Sequence, residues 1–272
     1  MPKLNIFIDG TWLLVQCAPD GSMANATDRP THRFPLDFNR LNQALLGHVN
    51  AHGAECDGIG EAQLSTSIFA LPEDFDGWTN QYDNILPAHI ERVRRAVGAR
   101  EAFVAQAEAA GYRTDAVYRP AIREHMIRRL IEGKYQEKQV DASVVALLVR
   151  SAITHGDDYH VVITGDADIL PAMRVAYPEF TKNVLVCTTH PDELNKRHRQ
   201  TAHALVEAEF NVPPYYLQMK ENAVHIIEGA HAHRCEECGS VFTLMNPLPG
   251  RSRPRCLAHR AAAPTRAQHG RR

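Results

Sequence analysis

The chain has 272 residues, 44% hydrophobic and 23% charged, with a net charge of −2. That composition suits a globular core with a small appendage and excludes a disordered, fibrous or disulfide-scaffold chain. The charge is uneven: residues 229–272 carry a formal +6, which leaves −8 on the rest, and such a basic end suits an anionic partner.

The start, MPKLNIFIDG, shows no secretory cleavage pattern. The longest aliphatic run, VVALLV at 144–149, is too short to cross a bilayer. Three of the six cysteines (Cys17, Cys56 and Cys187) are scattered, and the others cluster near the C-terminus. These features predict a reduced, cytoplasmic protein with one local cysteine site and no membrane association.

The elements follow in chain order. LNIFI (4–8) reads as a strand, and a helix runs from Asp37 to Gly47. LSTSIFA (64–70) is a second strand. A long helix from about Ala88 to Ala110 stops at Gly111. DAVYR (115–119) is a third strand, and a helix over about 139–155 ends at Gly156. HVVIT (160–164) and NVLVC (183–187) follow as strands. A last helix starts at HPDEL (190–194), with Pro191 in its first turn, and continues to Phe210. NVPPYY (211–216) then breaks the pattern. The division is a body over 1–211, a linker over 212–228, a cysteine-bearing module over 229–260 and a disordered basic tail over 261–272.

Strands that alternate with helices predict an α/β fold: a mainly parallel sheet covered on both faces. Such sheets bind ligands beyond the carboxyl ends of their strands, near the topological switch point. Asp9 and Asp166 lie just past two apolar strands, Asp168 follows, and Asp141 opens the helix in EKQVDASVVALL. Each has a local alternative: a turn at Asp9-Gly10, a helix dipole at Asp141, a cap at Asp166 or Asp168. Four carboxylates in one pocket repel one another, and a hard cation, Mg²⁺ or Mn²⁺, relieves that cost. Such an ion polarises a phosphodiester and activates water.

IFIDGTWLL, EKQVD and VVITGDADILPAM, in that order, resemble the NYN domain, a branch of the PIN-like nucleases. FPLDFNRL and EAAGYRTDAVYR also match in position, so the resemblance spans residues 4–190. It implies a three-layer α/β/α fold and metal-dependent RNA cleavage, with Asp9, Asp141, Asp166 and Asp168 as metal-coordinating residues. Thr11 and Thr164 would orient ligands or phosphate. The chain departs from the family twice. Trp12 stands where the family usually has the asparagine of DGxN, and Leu147 stands where it often has a further aspartate. Trp12 supports the alternative of a nucleic-acid- or protein-binding adaptor without efficient chemistry. IDGT and GDADILP also resemble haloacid-dehalogenase-like phosphatases, but the nucleophile position there is Phe7, which cannot attack phosphorus.

Near the C-terminus, Cys235-x2-Cys238 and Cys256-x2-His259 are two ligand pairs joined by a hairpin-sized insert. This spacing suits a structural, tetrahedral Zn²⁺, and CEECGSVF looks like a zinc-ribbon knuckle. His231 and His233 are substitutes for His259. Arg251, Arg253, Arg255 and Arg260 flank the second pair and suit phosphates, with protein contact as the alternative. Basic residues over 122–138 and 88–110, among them Arg100, read mostly as solvated helix faces. GDD (156–158) reads as a turn. RNA is the expected partner of the body, and RNA or a protein that of the module.

Overall fold

The computed structural model describes residues 1–16, 36–131, 139–188, 209–210, 215–216, 231–234, 236–237, 241–244 and 253–255. Its elements in chain order are β1 (Leu4–Asp9), α1 (Gly10–Gln16), α2 (Phe38–Ala51), β2 (Ile59–Ser67), α3 (Trp78–Gln81), α4 (Pro87–Ala109), β3 (Val117–Tyr118), α5 (Glu124–Ile131), α6 (Val140–Thr154), β4 (Tyr159–Ile163), α7 (Leu170–Ala176), β5 (Val184–Thr188) and β6 (Tyr215–Tyr216). These six strands form one sheet in the order β3-β2-β1-β4-β5-β6, with every neighbouring pair parallel. β7 (His231–Arg234) and β8 (Val241–Leu244) form a separate antiparallel pair.

β1 is buried along its whole length, so its two faces are legible from side-chain alternation. Leu4, Ile6 and Ile8 pack with Leu13 of α1, Leu41 and Leu45 of α2 and Phe103 of α4. Phe7 packs on the other face with Val144 and Leu148 of α6 and Met173 of α7. Helices therefore cover both faces, which is why the central strands are mainly apolar on both. A third cluster, around Phe75, Trp78, Ile90 and Ile127, lies among α3, α4 and α5. Among the described residues, no helix is long and apolar enough to cross a membrane.

The predicted helix starts and stops hold at α4 and α6, and the start holds at α2, which runs through the expected stop at Gly47 to Ala51. Asp37 caps α2, its Oδ1 accepting from the backbone N–H of Asn39 at 2.9 Å and of Arg40 at 3.1 Å. Such a cap contributes about 1 kcal/mol. β2 begins at Ile59, well before the predicted Leu64, because Gly58 and Gly60 disguise it. Gly60 stands there for clearance: a Cβ would lie 2.3 Å from Asn5 Oδ1. That buried amide crosses to β2, accepting from Glu61 N at 2.7 Å while its Nδ2 donates to Asp158 at 3.1 Å. Asp158, in the predicted turn, thus ties down the start of β1. Short helices α1 and α3 were not expected, whereas α5 falls in the stretch 122–138 read as a helix face and α7 follows the turn where a cap was the alternative. Of the predicted last helix, only Glu209 and Phe210 lie inside the described residues. Tyr215 and Tyr216, in the predicted linker, pair with Cys187 and Thr188 at the sheet's edge.

His160 is fully buried on β4, stacked near Phe7 at 6.4 Å between ring centroids. Among the described residues its ring nitrogens lie near the backbone of Ser151 and Asp158 without a hydrogen bond of good geometry. Burial disfavours the imidazolium and lowers its pKa below the ordinary 6.5. The unfolded chain therefore takes up this proton first as pH falls, and stability drops below about pH 6.5 by up to about 1.4 kcal/mol per pH unit. Urea unfolding from pH 7.5 to 5.5, for the wild type and His160→Leu, should show a slope that the variant lacks.

Candidate metal centre

The parallel order places the switch point between β1 and β4. From β1 the chain proceeds to β2 and β3 on one side, and from β4 to β5 and β6 on the other. Both strands deliver an aspartate there. Asp9 closes β1 and is 5% exposed. Its Oδ1 accepts from the backbone N–H of Trp12 at 2.9 Å, inside the first turn of α1. Its Oδ2 accepts from the hydroxyl of Thr164 at 3.1 Å. Thr164 Oγ1 in turn accepts from the backbone N–H of Asp166 at 3.1 Å. One buried hydroxyl thus couples the end of β1 to the loop after β4.

That loop makes a 3-10 turn over Ala167–Ile169 and runs into α7. Asp166 caps the turn, its Oδ1 accepting from Asp168 N at 3.1 Å. The capping role therefore belongs to Asp166, because the turn starts at Ala167, two residues earlier than a cap at Asp168 requires. Asp168 lies within the turn. Asp141 comes from the first turn of α6, which packs on both the 3-10 turn and α7.

Carboxylate oxygens of Asp141, Asp166 and Asp168 lie within 4.8 Å of one another. Asp141 is half-buried, and Asp166 and Asp168 are exposed. At that spacing each pair repels by roughly 1 kcal/mol even with water-like screening. An all-oxygen, anionic donor set fits Mg²⁺ or Mn²⁺ better than a softer metal. Asp9 lies outside this triad in the structure, held through Thr164 and Trp12, where it supports the triad's loop.

Thr11 bonds Thr66 through their hydroxyls at 3.2 Å. Arg100 of α4 donates through Nη1 to Thr11 at 3.3 Å and to the Ser67 carbonyl at 3.0 Å. Thr11 thus anchors α1 to β2, and Arg100 is no solvated helix residue. Its α4 neighbours do follow the surface expectation, Arg94 pairing with Asp76 and Arg95 with Glu91. Sequence reasoning missed Arg100 because no helical period distinguishes one arginine from the next.

Trp12 packs against Gly165, the residue between Thr164 and Asp166. A Cβ at Gly165 would lie 2.2 Å from the indole nitrogen. Leu147, the other departure from the pattern the motifs resemble, lines a groove between α6 and the β2–β3 edge.

Cys235, Cys238, Cys256 and His259 lie outside the described residues, as do Arg251 and Arg260. His231 and His233 fall in β7. Around the cysteines, Glu236 N donates to Pro254 O at 3.0 Å, and Arg255 pairs with Glu237 at 2.8 Å. Arg253 lies 3.8 Å from Glu236. The segments that carry the two predicted ligand pairs therefore meet. Comparison of the chain with protein-family models, with curated proteins and with solved structures finds no match.

Proposed function

We propose that the chain is a metal-dependent ribonuclease of the NYN/PIN-like type, with a three-layer α/β/α body. The observation that carries this reading is the convergence of Asp141, Asp166 and Asp168 at the switch point of a parallel sheet. These residues would hold Mg²⁺ or Mn²⁺. The bound ion would supply charge stabilisation on the phosphodiester and a water of lowered pKa for in-line attack. Asp9 and Thr164 fix the loop that carries two of the three ligands. Phe7 is fully buried, so no nucleophile stands where a haloacid-dehalogenase-like phosphatase needs one.

The test is incubation of purified protein with labelled single-stranded RNA and Mn²⁺. Shortened products are expected from the wild type, with little or none from Asp9→Asn and Asp166→Asn. Cleavage that survives both substitutions overturns the mechanism. Binding without cleavage favours the adaptor reading, which the packing of Trp12 against Gly165 also supports.

The C-terminal module is read as a zinc ribbon that helps hold RNA or a protein partner. The hairpin β7–β8 and the contact between Glu236 and Pro254 support it. A closed four-ligand site would be structural, and in so small a module the metal would supply much of the folding energy. Metal analysis should find about one zinc per chain. Cys235→Ser should release it while the sheet domain keeps its cooperative thermal transition. A zinc-free native protein refutes the assignment.

A further inference from the structure

The chain has two tryptophans, and the fold uses them differently. Trp78 is 8% exposed, and the rings of Phe75 and Tyr82 meet it edge-on at 5.2 Å and 5.5 Å. Packing in that cluster accounts for it. Trp12 is only half-buried, whereas its neighbour Leu13 is fully buried. α1 thus sends Leu13 into the core and leaves Trp12 at the carboxyl edge of the sheet. Among the described residues no aromatic ring packs on Trp12, and no acceptor meets its indole N–H. An enclosed indole N–H usually finds an acceptor, so this one belongs where solvent or a ligand reaches it.

The indole is held from two sides. The Trp12 backbone N–H donates to Asp9 Oδ1 at 2.9 Å. Gly165 meets the pyrrole part of the ring: a Cβ there would lie 2.2 Å from Nε1, 2.8 Å from Cε2 and 3.1 Å from Cδ1. Gly165 adjoins Asp166, and consecutive Cα atoms are about 3.8 Å apart. The ring therefore stands beside the loop that carries two of the three triad carboxylates. Bracing that loop needs only volume, which any large apolar side chain supplies. A seated, half-exposed indole offers more: a flat aromatic surface whose ordering is already complete before a ligand arrives. A nucleobase is the ligand that uses such a surface next to a phosphate-binding cation, since every base has a face to stack.

We infer that Trp12 is a stacking platform for one nucleobase of a single-stranded RNA whose neighbouring phosphate lies at the carboxylate triad. The platform is tolerant of sequence, because stacking reads a base's face and not its hydrogen-bonding edge. The inference deepens the ribonuclease reading by naming the residue that holds the strand beside the metal, and it rests on that reading for the phosphate's place.

The test requires no cleavage. Full-length protein is titrated with a short single-stranded RNA in chelator, and tryptophan emission is followed. Quenching is expected in the wild type and not in Trp12→Phe, whose remaining emission comes from the buried Trp78. Anisotropy of labelled RNA reads affinity: Trp12→Leu should bind about tenfold more weakly, and Trp12→Phe should recover most of the loss. One abasic nucleotide, moved along the RNA, should cost the wild type a similar factor at one position and cost Trp12→Leu nothing there. Thermal unfolding reads any bracing of the loop separately. Lower stability of Trp12→Leu with unchanged RNA affinity, no quenching in the wild type, or equal abasic penalties in both proteins overturns the inference. All the expected signals in a protein that cleaves no RNA with Mn²⁺ would leave the platform standing and remove the nuclease reading alone. Cleavage by a protein whose RNA affinity ignores residue 12 would do the reverse.

Discussion

Asp166→Asn is expected to lower Mn²⁺ affinity at least about 100-fold while leaving the fold intact. Substitution of a group that only orients a metal ligand costs about 10- to 100-fold, and a direct ligand should cost no less. The change is clean because asparagine keeps the local structure. Its amide oxygen still accepts from Asp168 N, so the 3-10 turn stays capped. Its backbone N–H still reaches Thr164, so the coupling to Asp9 survives. Only the charge is lost. Without metal, that loss should leave stability unchanged or slightly raised, since it relieves repulsion with Asp141 and Asp168. Manganese titration by electron paramagnetic resonance reads the affinity, and thermal unfolding with chelator reads the fold. Unchanged Mn²⁺ affinity would remove Asp166 from the metal site.

Gly165→Ala is the second large effect, and it acts through packing. The new methyl would sit 2.2 Å from Trp12 Nε1 and 2.8 Å from Trp12 Cε2, well inside contact distance. Either the indole leaves its seat against the core or the β4 loop moves outward. Overpacking of this kind costs about 1–3 kcal/mol. Movement of the loop would also displace Asp166 and Asp168, so Mn²⁺ affinity should fall with stability. Trp12→Ala in the Gly165→Ala background removes the clash and should recover most of both losses. A double-mutant cycle measures this coupling, expected at about 1 kcal/mol or more for residues in direct contact. Additive effects would mean that the indole does not brace the loop.

The two effects separate what each kind of residue does at the centre. Asp166 contributes charge on a scaffold that asparagine can also build. Gly165 contributes only space, and its importance depends on the side chain opposite. In the family that the motifs resemble, an asparagine usually stands at the position of Trp12. Here a much larger side chain fills the space over the loop, and Gly165 is what admits it.

Much of this arrangement was legible before any coordinates. Mainly apolar, β-branched runs at 4–8 and 160–164 read as strands buried on both faces, and they pair with each other at the centre of the sheet. Asp37 before α2 and Gly111 after α4 mark helix boundaries through local hydrogen bonding and backbone freedom, which short sequence windows record. Asp166 and Asp168 sit on one short turn, so their closeness was also local.

Tertiary structure decided the rest, because it depends on distances between residues far apart in the chain. No periodicity says that the Asp141 carboxylate from α6 joins those of Asp166 and Asp168, whereas Asp9 turns to Thr164 and Trp12. None says that Arg100 reaches under α1 while Arg94 and Arg95 stay on the surface. None says that Gly60 belongs inside β2, where the Asn5 amide lies across it. The sequence by itself determined the central strands β1 and β4, most helix ends and the acidic residues at the sheet's carboxyl edge, since these follow from burial and hydrogen bonds within a few residues. Only the packed structure decided which carboxylates meet, which one braces the loop that carries the others, and that the Trp12 indole lies against Gly165 in that loop.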